Sequence, residues 1–334
     1  MEPLTRRRFA QGLFAGAATL AATGAIRTKD RVLVVGGGPA GIAAALTLRK
    51  TRPEASVLLI ERDPARIGGT AGHASRFAMP GPSATLATLR RAGVEVALDD
   101  VTGVNWSDAR LGLFSGRHMA FDTVILAPGT APQAEDIPGL DPVARHLWPA
   151  AWGSLREARR LEAGLGALPE TGRVVLRLPN RISHPAAAVT RALELAAYLA
   201  RHRPQARLTV LDGTSGQLAD DFKDQAARAG LGARTNWHTA LHGGTVRAVD
   251  ARRGFLETNA GGLRADVVNF VPPHGAGRIA QAAGLVDASG WCPCDALSRS
   301  SVRPQALILG DARKGALRTV DGALRSGRAA SPSA

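Results

Sequence analysis

Cys292 and Cys294 are the only two cysteines of this 334-residue chain, and Pro293 alone separates them in the stretch GWCPC. Thiols so placed can serve as a redox couple or as half of a metal site. A disulfide between residues i and i+2 is strained, because the bond favours Cα separations of roughly 5.5–6 Å. Strain raises the reduction potential and makes the bond labile, which suits a redox role. A structural zinc site needs four ligands. The eight histidines show no HxxxH-type spacing beside an acid, so no metal is expected.

A second set of residues points to a dinucleotide. VLVVGGGPAGIAAALTLRK reads as a buried strand, Val32 to Val35, that turns through Gly36, Gly38 and Gly41 into an alanine-rich helix opened by Pro39 and Ala40. Gly36 permits the tight turn, Gly38 lets the backbone approach a pyrophosphate, and Gly41 lets helix and strand pack closely. The helix N-terminus then faces the phosphate charge. The next strand, SVLLIE, ends at Glu61, twenty residues after Gly41, with Arg62 beside it. An acidic side chain there binds the adenosine ribose hydroxyls.

Further elements must complete that site. FDTVILAPGTAP (121–132) is a buried strand followed by the turn Ala127-Pro128-Gly129, and QALILGDA (305–312) is a buried strand ending in Gly310-Asp311. The first resembles the segment that closes the FAD domain of flavoproteins with two dinucleotide-binding domains. In that superfamily the matching Gly-Asp contacts the ribityl chain and pyrophosphate of the flavin. The resemblance implies FAD rather than NAD at the first fingerprint.

Between these segments lies a second α/β unit, with strands at 173–178 and 207–212 and a helix to about Ala200. It has the layout of an NAD(P)H-binding domain, yet its loop, Leu178-Pro179-Asn180-Arg181-Ile182-Ser183, holds no glycine where a pyrophosphate would approach. Each missing glycine places at least a Cβ in that space. The fold class is therefore α/β with two Rossmann-like domains of the glutathione-reductase-like flavoprotein type. A discontinuous FAD-binding domain, residues 30–145 plus 262–334, flanks a middle domain at 146–261 that lacks a nucleotide.

Composition agrees with a globular protein and excludes others. The chain is 45% hydrophobic and 21% charged, unlike a disordered sequence. The net charge of +14 is dispersed without a basic arm, and aromatics make up only 4%, which excludes a stacking nucleic-acid surface. Dispersed positive charge suits an acidic protein partner. At the N-terminus, Thr5-Arg6-Arg7-Arg8-Phe9 precedes a weakly apolar stretch to Ala25 that is too short to be a stable membrane anchor. Residues 1–25 fit a twin-arginine export signal, which predicts a periplasmic protein that folds around its cofactor before export.

The block 265–312, ADVVNFVPPHGAGRIAQAAGLVDASGWCPCDALSRSSVRPQALILGDA, closely resembles the flavoprotein subunit of flavocytochrome c sulfide dehydrogenase. Val-Pro-Pro, Ala-Gly-x-Ile-Ala-x-x-Ala-Gly-Leu and Gly-Trp-Cys-Pro occur in the same order, and RTNWHTALHGG is similar too. The resemblance implies sulfide oxidation through a redox-active disulfide beside FAD, with electrons passed to a c-type cytochrome. Cys292 matches one half of that disulfide. The loop that would supply the other half holds Ser183 and His184 instead, so Cys294 is the remaining candidate partner, and His184 stands where the resemblance implies a base or thiolate partner. The stretch 61–81 also lacks the cysteine that tethers FAD in many members, which implies noncovalent FAD. Beyond Asp311 little of the family's C-terminal segment follows, and ALRTVDGALRSGRAASPSA ends in small residues expected to be disordered.

Three functions follow from these residues. The first is a sulfide dehydrogenase-like FAD enzyme with Cys292 and Cys294 catalytic, a small sulfur substrate and a cytochrome acceptor. The second is a degenerate flavoprotein that serves as a binding or assembly partner of a periplasmic redox protein. The third, an NAD(P)H-dependent disulfide reductase, is disfavoured by the glycine-free loop.

Overall fold

The computed structural model describes residues 30–67, 86–231 and 233–330. The predicted signal at 1–25 lies outside them, as does most of the stretch 61–81 that lacks a tethering cysteine.

Two units of the same plan follow one another. The first runs β1 (Arg31–Val35), α1 (Pro39–Thr51), β2 (Ser56–Glu61), α2 (Leu86–Arg91) and β3 (Glu95–Leu98). An antiparallel meander of β4 (Val101–Asn105), β5 (Arg110–Leu113) and β6 (His118–Ala120) then returns the chain to β7 (Thr123–Leu126). After β8 (Thr130–Pro132), α3 (Pro142–Leu147) and α4 (Leu155–Gly166), the plan repeats as β9 (Arg173–Leu178), α5 (Pro185–His202), β10 (Arg207–Asp212), α6 (Gln217–Arg228) and β11 (Thr235–His238). Its own meander is β12 (Val246–Asp250), β13 (Phe255–Thr258) and β14 (Gly261–Arg264), and β15 (Val267–Phe270) closes the unit. β16 (His274–Ala276), α7 (Arg278–Ala282), β17 (Ala306–Ile308) and α8 (Val320–Arg328) complete the described chain.

Each unit is built on a parallel sheet. The first has the order β17-β7-β1-β2-β3 and the second β11-β10-β9-β15. Parallel sheets are covered on both faces, so their strands read as continuous apolar runs. Val32, Leu33 and Val34 are accordingly fully buried, as are Val174 and Leu176 in the second sheet. Val267–Phe270 lies beyond the expected domain boundary at residue 262, yet it pairs with β9 and belongs to the second sheet. The reason is register: Val268 and Phe270 complete the apolar cluster of that unit, and Asn269 is buried against the chain that enters it.

The two chain crossings between the units, β8 and β16, pair with each other as an antiparallel ribbon. A buried bidentate pair joins the first crossing to the second sheet: Arg177 Nη1 and Nη2 donate to Glu135 Oε2 and Oε1 at 2.7 and 2.6 Å. Such charge-assisted pairs fix geometry more reliably than neutral hydrogen bonds.

A last helix precedes the small-residue tail that was expected to be disordered. Val320–Arg328 forms a helix capped by Thr319, whose Oγ1 accepts from Gly322 N at 3.0 Å. It packs against α1 through small residues, for a Cβ on Gly327 would collide with Ala40 O. Residues 331–334 lie outside the described residues.

Candidate functional site

The glycine turn after β1 is shaped by contacts that only glycine allows. Gly36 has φ +108°, and a Cβ there would collide with Ala127 O. A Cβ on Gly41 would collide with Gly36 O. Gly38 differs: nothing lies within 4 Å of the position its Cβ would take. That open space stands at the N-terminus of α1, where Pro39 opens the helix and no side chain caps it. Free backbone N–H groups and the helix dipole make this an anion site.

Glu61 is buried at the end of β2. Its carboxylate accepts from Gly37 N at 2.6 Å and from Asp63 N at 2.9 Å. A carboxylate offers about four lone-pair sites, so two remain for ribose hydroxyls. Gly37, which the sequence reading passed over, is what lets Glu61 approach: a Cβ there would sit 3.0 Å from Glu61 Cγ. The only signal for it is the middle glycine of the run Gly36-Gly37-Gly38.

These residues open into one cavity of about 420 Å³. Of the expected cofactor residues, Gly36, Gly38, Pro39, Ala40, Glu61 and Arg62 line one part of it. Ala127, Pro128, Gly129, Gly310 and Asp311 line another, while Gly41 packs behind the turn. Gly310 has φ +70°, and its N–H donates to Ser326 Oγ at 3.0 Å. The Oδ1 atom of Asp311 is buried without a hydrogen-bond partner. A buried acceptor without a donor costs free energy unless a ligand supplies one.

The second unit contributes the rest of the wall. Trp148, Trp152, His184 and Phe270 line the cavity, together with His274 and Arg318 from the returning chain. The segment that carries both tryptophans is held from beneath. Buried Arg191 donates to Ala151 O at 3.0 Å and to Asn269 Oδ1 at 2.9 Å, and Asn269 Nδ2 donates to Pro149 O and Ala150 O at 3.0 and 2.6 Å. Ser154 caps α4 by accepting from Glu157 N at 3.3 Å, and Glu157 Oε2 accepts from Ala151 N at 3.0 Å. Burial holds the Arg191 guanidinium below its ordinary pKa and its neighbour Glu194 above the usual carboxylate range.

His274 Nδ1 donates to Pro272 O at 3.0 Å, and burial lowers its pKa to about 4, so the ring is neutral at pH 7. His184 precedes α5. Its Nδ1 lies 2.7 Å from Ser183 Oγ, and its Nε2 lies 3.6 Å from Asp311 Oδ2. Burial also lowers the pKa of Arg318, whose guanidinium lies over the Trp291 ring at 3.5 Å and donates to Asp311 O and Arg313 O. His274 and Arg318 carried no spacing signal that could have marked them in the sequence.

The expected thiol couple is not assembled at this cavity. Cys292 and Cys294 are both free, and neither lines it. Cys292 is fully buried in an apolar cluster with Ala280, Leu285 and Ile308. Backbone bonds fix it there: Cys292 N donates to Ala312 O at 2.9 Å, and Lys314 N donates to Cys292 O at 2.8 Å. Burial pushes the Cys292 thiol up to about 12 and raises Cys294 as well, the latter opposed by Arg313. Both are therefore protonated near neutrality, and the thiolate is the nucleophilic form.

The profile of the pyridine nucleotide-disulphide oxidoreductase family matches residues 30–327. The chain belongs to this family. Its fold is shared with the sulfide:quinone oxidoreductase of Aquifex aeolicus, at 17% identity and a TM-score of 0.65 over 85% of this chain and 69% of that one. It is shared also with an NAD-dependent persulfide reductase from A. fulgidus, at 18% identity and a TM-score of 0.65 over 90% and 58% of the two chains. The water-forming NADH oxidase of Lactobacillus brevis gives 17% identity and a TM-score of 0.66 over 90% and 68%. This chain thus spans 58–69% of the lengths of these relatives.

The family cofactor FAD fits the first unit. The open space at Gly38, the uncapped start of α1, Glu61 and the orphaned Asp311 Oδ1 would hold its pyrophosphate, ribose and ribityl hydroxyls. Bound there without a covalent link, FAD supplies two-electron redox chemistry, and the protein is an oxidoreductase. The second unit is built differently at this point. Its loop after β9 holds no glycine and packs on the residue after β10: a Cβ on Gly213 would lie 2.8 Å from Asn180 N and 3.0 Å from Pro179 C. Asp212, at the end of β10, is fully buried and accepts from Thr214 N and Trp237 Nε1 at 2.8 and 3.1 Å. Among the described residues no helix is long and apolar enough to cross a membrane.

Proposed function

We propose that the chain is a periplasmic FAD-dependent oxidoreductase that takes electrons from a small reduced sulfur compound and passes them to a c-type cytochrome. The observation that carries the flavin part is the convergence of the glycine turn, Glu61 and the unpartnered Asp311 Oδ1 on one cavity. The likeness of 265–312 to flavocytochrome c sulfide dehydrogenase supports the sulfur substrate and the cytochrome, and twin-arginine residues 5–9 support export. The fold shared with a sulfide:quinone oxidoreductase is in keeping with both. The FAD-binding domain is discontinuous, with β17 and Gly310-Asp311 returning to the sheet that holds the fingerprint.

The burial of Cys292 favours a route in which the substrate meets the flavin directly, without a protein disulfide. The same burial favours a second reading, a flavoprotein that has lost sulfide oxidation and serves as the partner of another periplasmic redox protein. Anaerobic addition of sulfide to the FAD-loaded protein separates them. Bleaching of the flavin, with reoxidation by cytochrome c, supports the enzyme. A flavin that stays oxidised under sulfide supports the partner role.

A further inference from the structure

The loop 179–184 of the second unit stands where a nucleotide-binding turn would be, and it ends in a residue that reaches the other unit. His184 is buried at the start of α5 but makes no side-chain cap to that helix. Its ring turns into the cavity instead. Ser183 Oγ fixes Nδ1 at 2.7 Å, and the Trp152 ring stands edge-on to it at 6.2 Å and 74°. Nε2 is thereby aimed at Asp311 Oδ2, 3.6 Å away, at the end of the first sheet. The opposite oxygen, Oδ1, is the one left without a donor.

The division of labour between the two oxygens has a physical reason. A carboxylate in an FAD cavity faces the negative pyrophosphate and is repelled by it. A donor or cation on the far oxygen offsets that charge and fixes the rotamer, which leaves the near oxygen to accept from ribityl hydroxyls. Backbone bonds already hold the rest of the turn: Arg318 Nε donates to Asp311 O at 3.0 Å, and Ser326 Oγ accepts from Gly310 N at 3.0 Å.

We propose that His184 is a positioning residue that holds Asp311 across the boundary between the two units, so that FAD binding joins them. The proposal rests on the assignment of FAD to this cavity. The loop has then exchanged nucleotide binding for support of the neighbouring cofactor site.

The test is a set of FAD dissociation constants, read from quenching of flavin fluorescence, with the FAD-induced rise in melting temperature as a second readout. His184→Ala is expected to weaken FAD binding about 10-fold, through loss of the Nε2 contact with the Asp311 carboxylate at 3.6 Å. His184→Gln keeps a donor of sufficient reach and is expected to stay within about threefold of the parent, whereas the shorter His184→Asn is expected to behave like alanine. Asp311→Asn weakens binding by itself, and adding His184→Ala to it is expected to cost little more. The idea is overturned if His184→Ala binds within about twofold of the parent, or if its loss adds in full to that of Asp311→Asn. If His184→Ala does not fold, the Gln and Asn pair decides: equal affinities overturn it. A parent protein that binds no FAD defeats the flavin assignment itself, and this inference with it.

Discussion

Trp237 donates from Nε1 to Asp212 Oδ2 at 3.1 Å, and Asp212 ends β10 as Glu61 ends β2. The two acids hold equivalent places in the two units, yet only Glu61 faces the cavity. Asp212 is fully buried, bonded to Trp237 and Thr214 N, and the Pro179-Asn180 backbone lies against Gly213 beside it. NADH and NADPH are therefore expected to show no binding below millimolar concentration and no bleaching of the bound flavin. Titration of intrinsic and nicotinamide fluorescence checks this. Saturable binding at micromolar NADH would restore the NAD(P)H-dependent reductase.

Gly38 and Gly41 separate binding from folding. A Cβ on Gly38 meets open space, whereas one on Gly41 meets the Gly36 carbonyl. Gly38→Val should leave the melting temperature of the ligand-free protein nearly unchanged and raise the FAD dissociation constant by about 100-fold or more, because it fills the pyrophosphate space. Gly41→Ala should lower stability by about 1–3 kcal/mol, the usual size of an overpacked contact. Denaturant melts with and without FAD distinguish the two.

The thiols should behave as core residues. In a Cys294→Ser background, Cys292 is expected to resist iodoacetamide at pH 8 in the native protein and to react quickly once unfolded. Its pKa of about 12 lies above that of an unfolded thiol, near 8.5. The native state therefore keeps its proton while the unfolded chain loses its own. The stability from this group is present in full below pH 8.5 and falls as pH rises towards 12. Rapid native-state labelling at pH 8 would contradict this and return Cys292 to the candidate nucleophiles.

His274 works in the opposite pH range. Burial holds its pKa at about 4, against about 6.5 for an unfolded histidine. Below pH 6.5 the unfolded chain takes up a proton that the native ring refuses, so stability is lost as pH falls from 6.5 to 4, by about 3 kcal/mol at most. His274→Gln should flatten that part of the stability profile. An unchanged slope, measured by urea melts at pH 7, 6 and 5, would show that the ring titrates normally.

Much of the candidate site's geometry was legible in the sequence because close backbone packing leaves a glycine signature: Gly36 and Gly41 stand where a Cβ would collide with backbone, Gly38 faces open space, and Glu61 and Asp311 line the cavity at the ends of their strands. The strands 173–178 and 207–212 also appeared with their observed bounds, because each is a short stretch rich in Val and Leu, RVVLRL and RLTVLD. The domain boundary did not, since β15 belongs to the second sheet through long-range pairing with β9 that no local pattern records. The helix Val320–Arg328 was hidden in the same way. Its Gly327 is small because Ala40 of α1 lies against it, a contact that no local pattern records. The position of Cys292 was the least legible. Sequence likeness placed it in a motif, whereas burial is set by Ala312 and Lys314, which lie about twenty residues downstream and pair with it through the backbone.

Flavin content tests the central claim most directly. The protein purified in its folded form is expected to be yellow, to carry close to one FAD per chain, and to release that flavin into the supernatant after acid or heat. A colourless protein that cannot be reconstituted with FAD would contradict the account, and flavin that stays on the denatured polypeptide would contradict the noncovalent site.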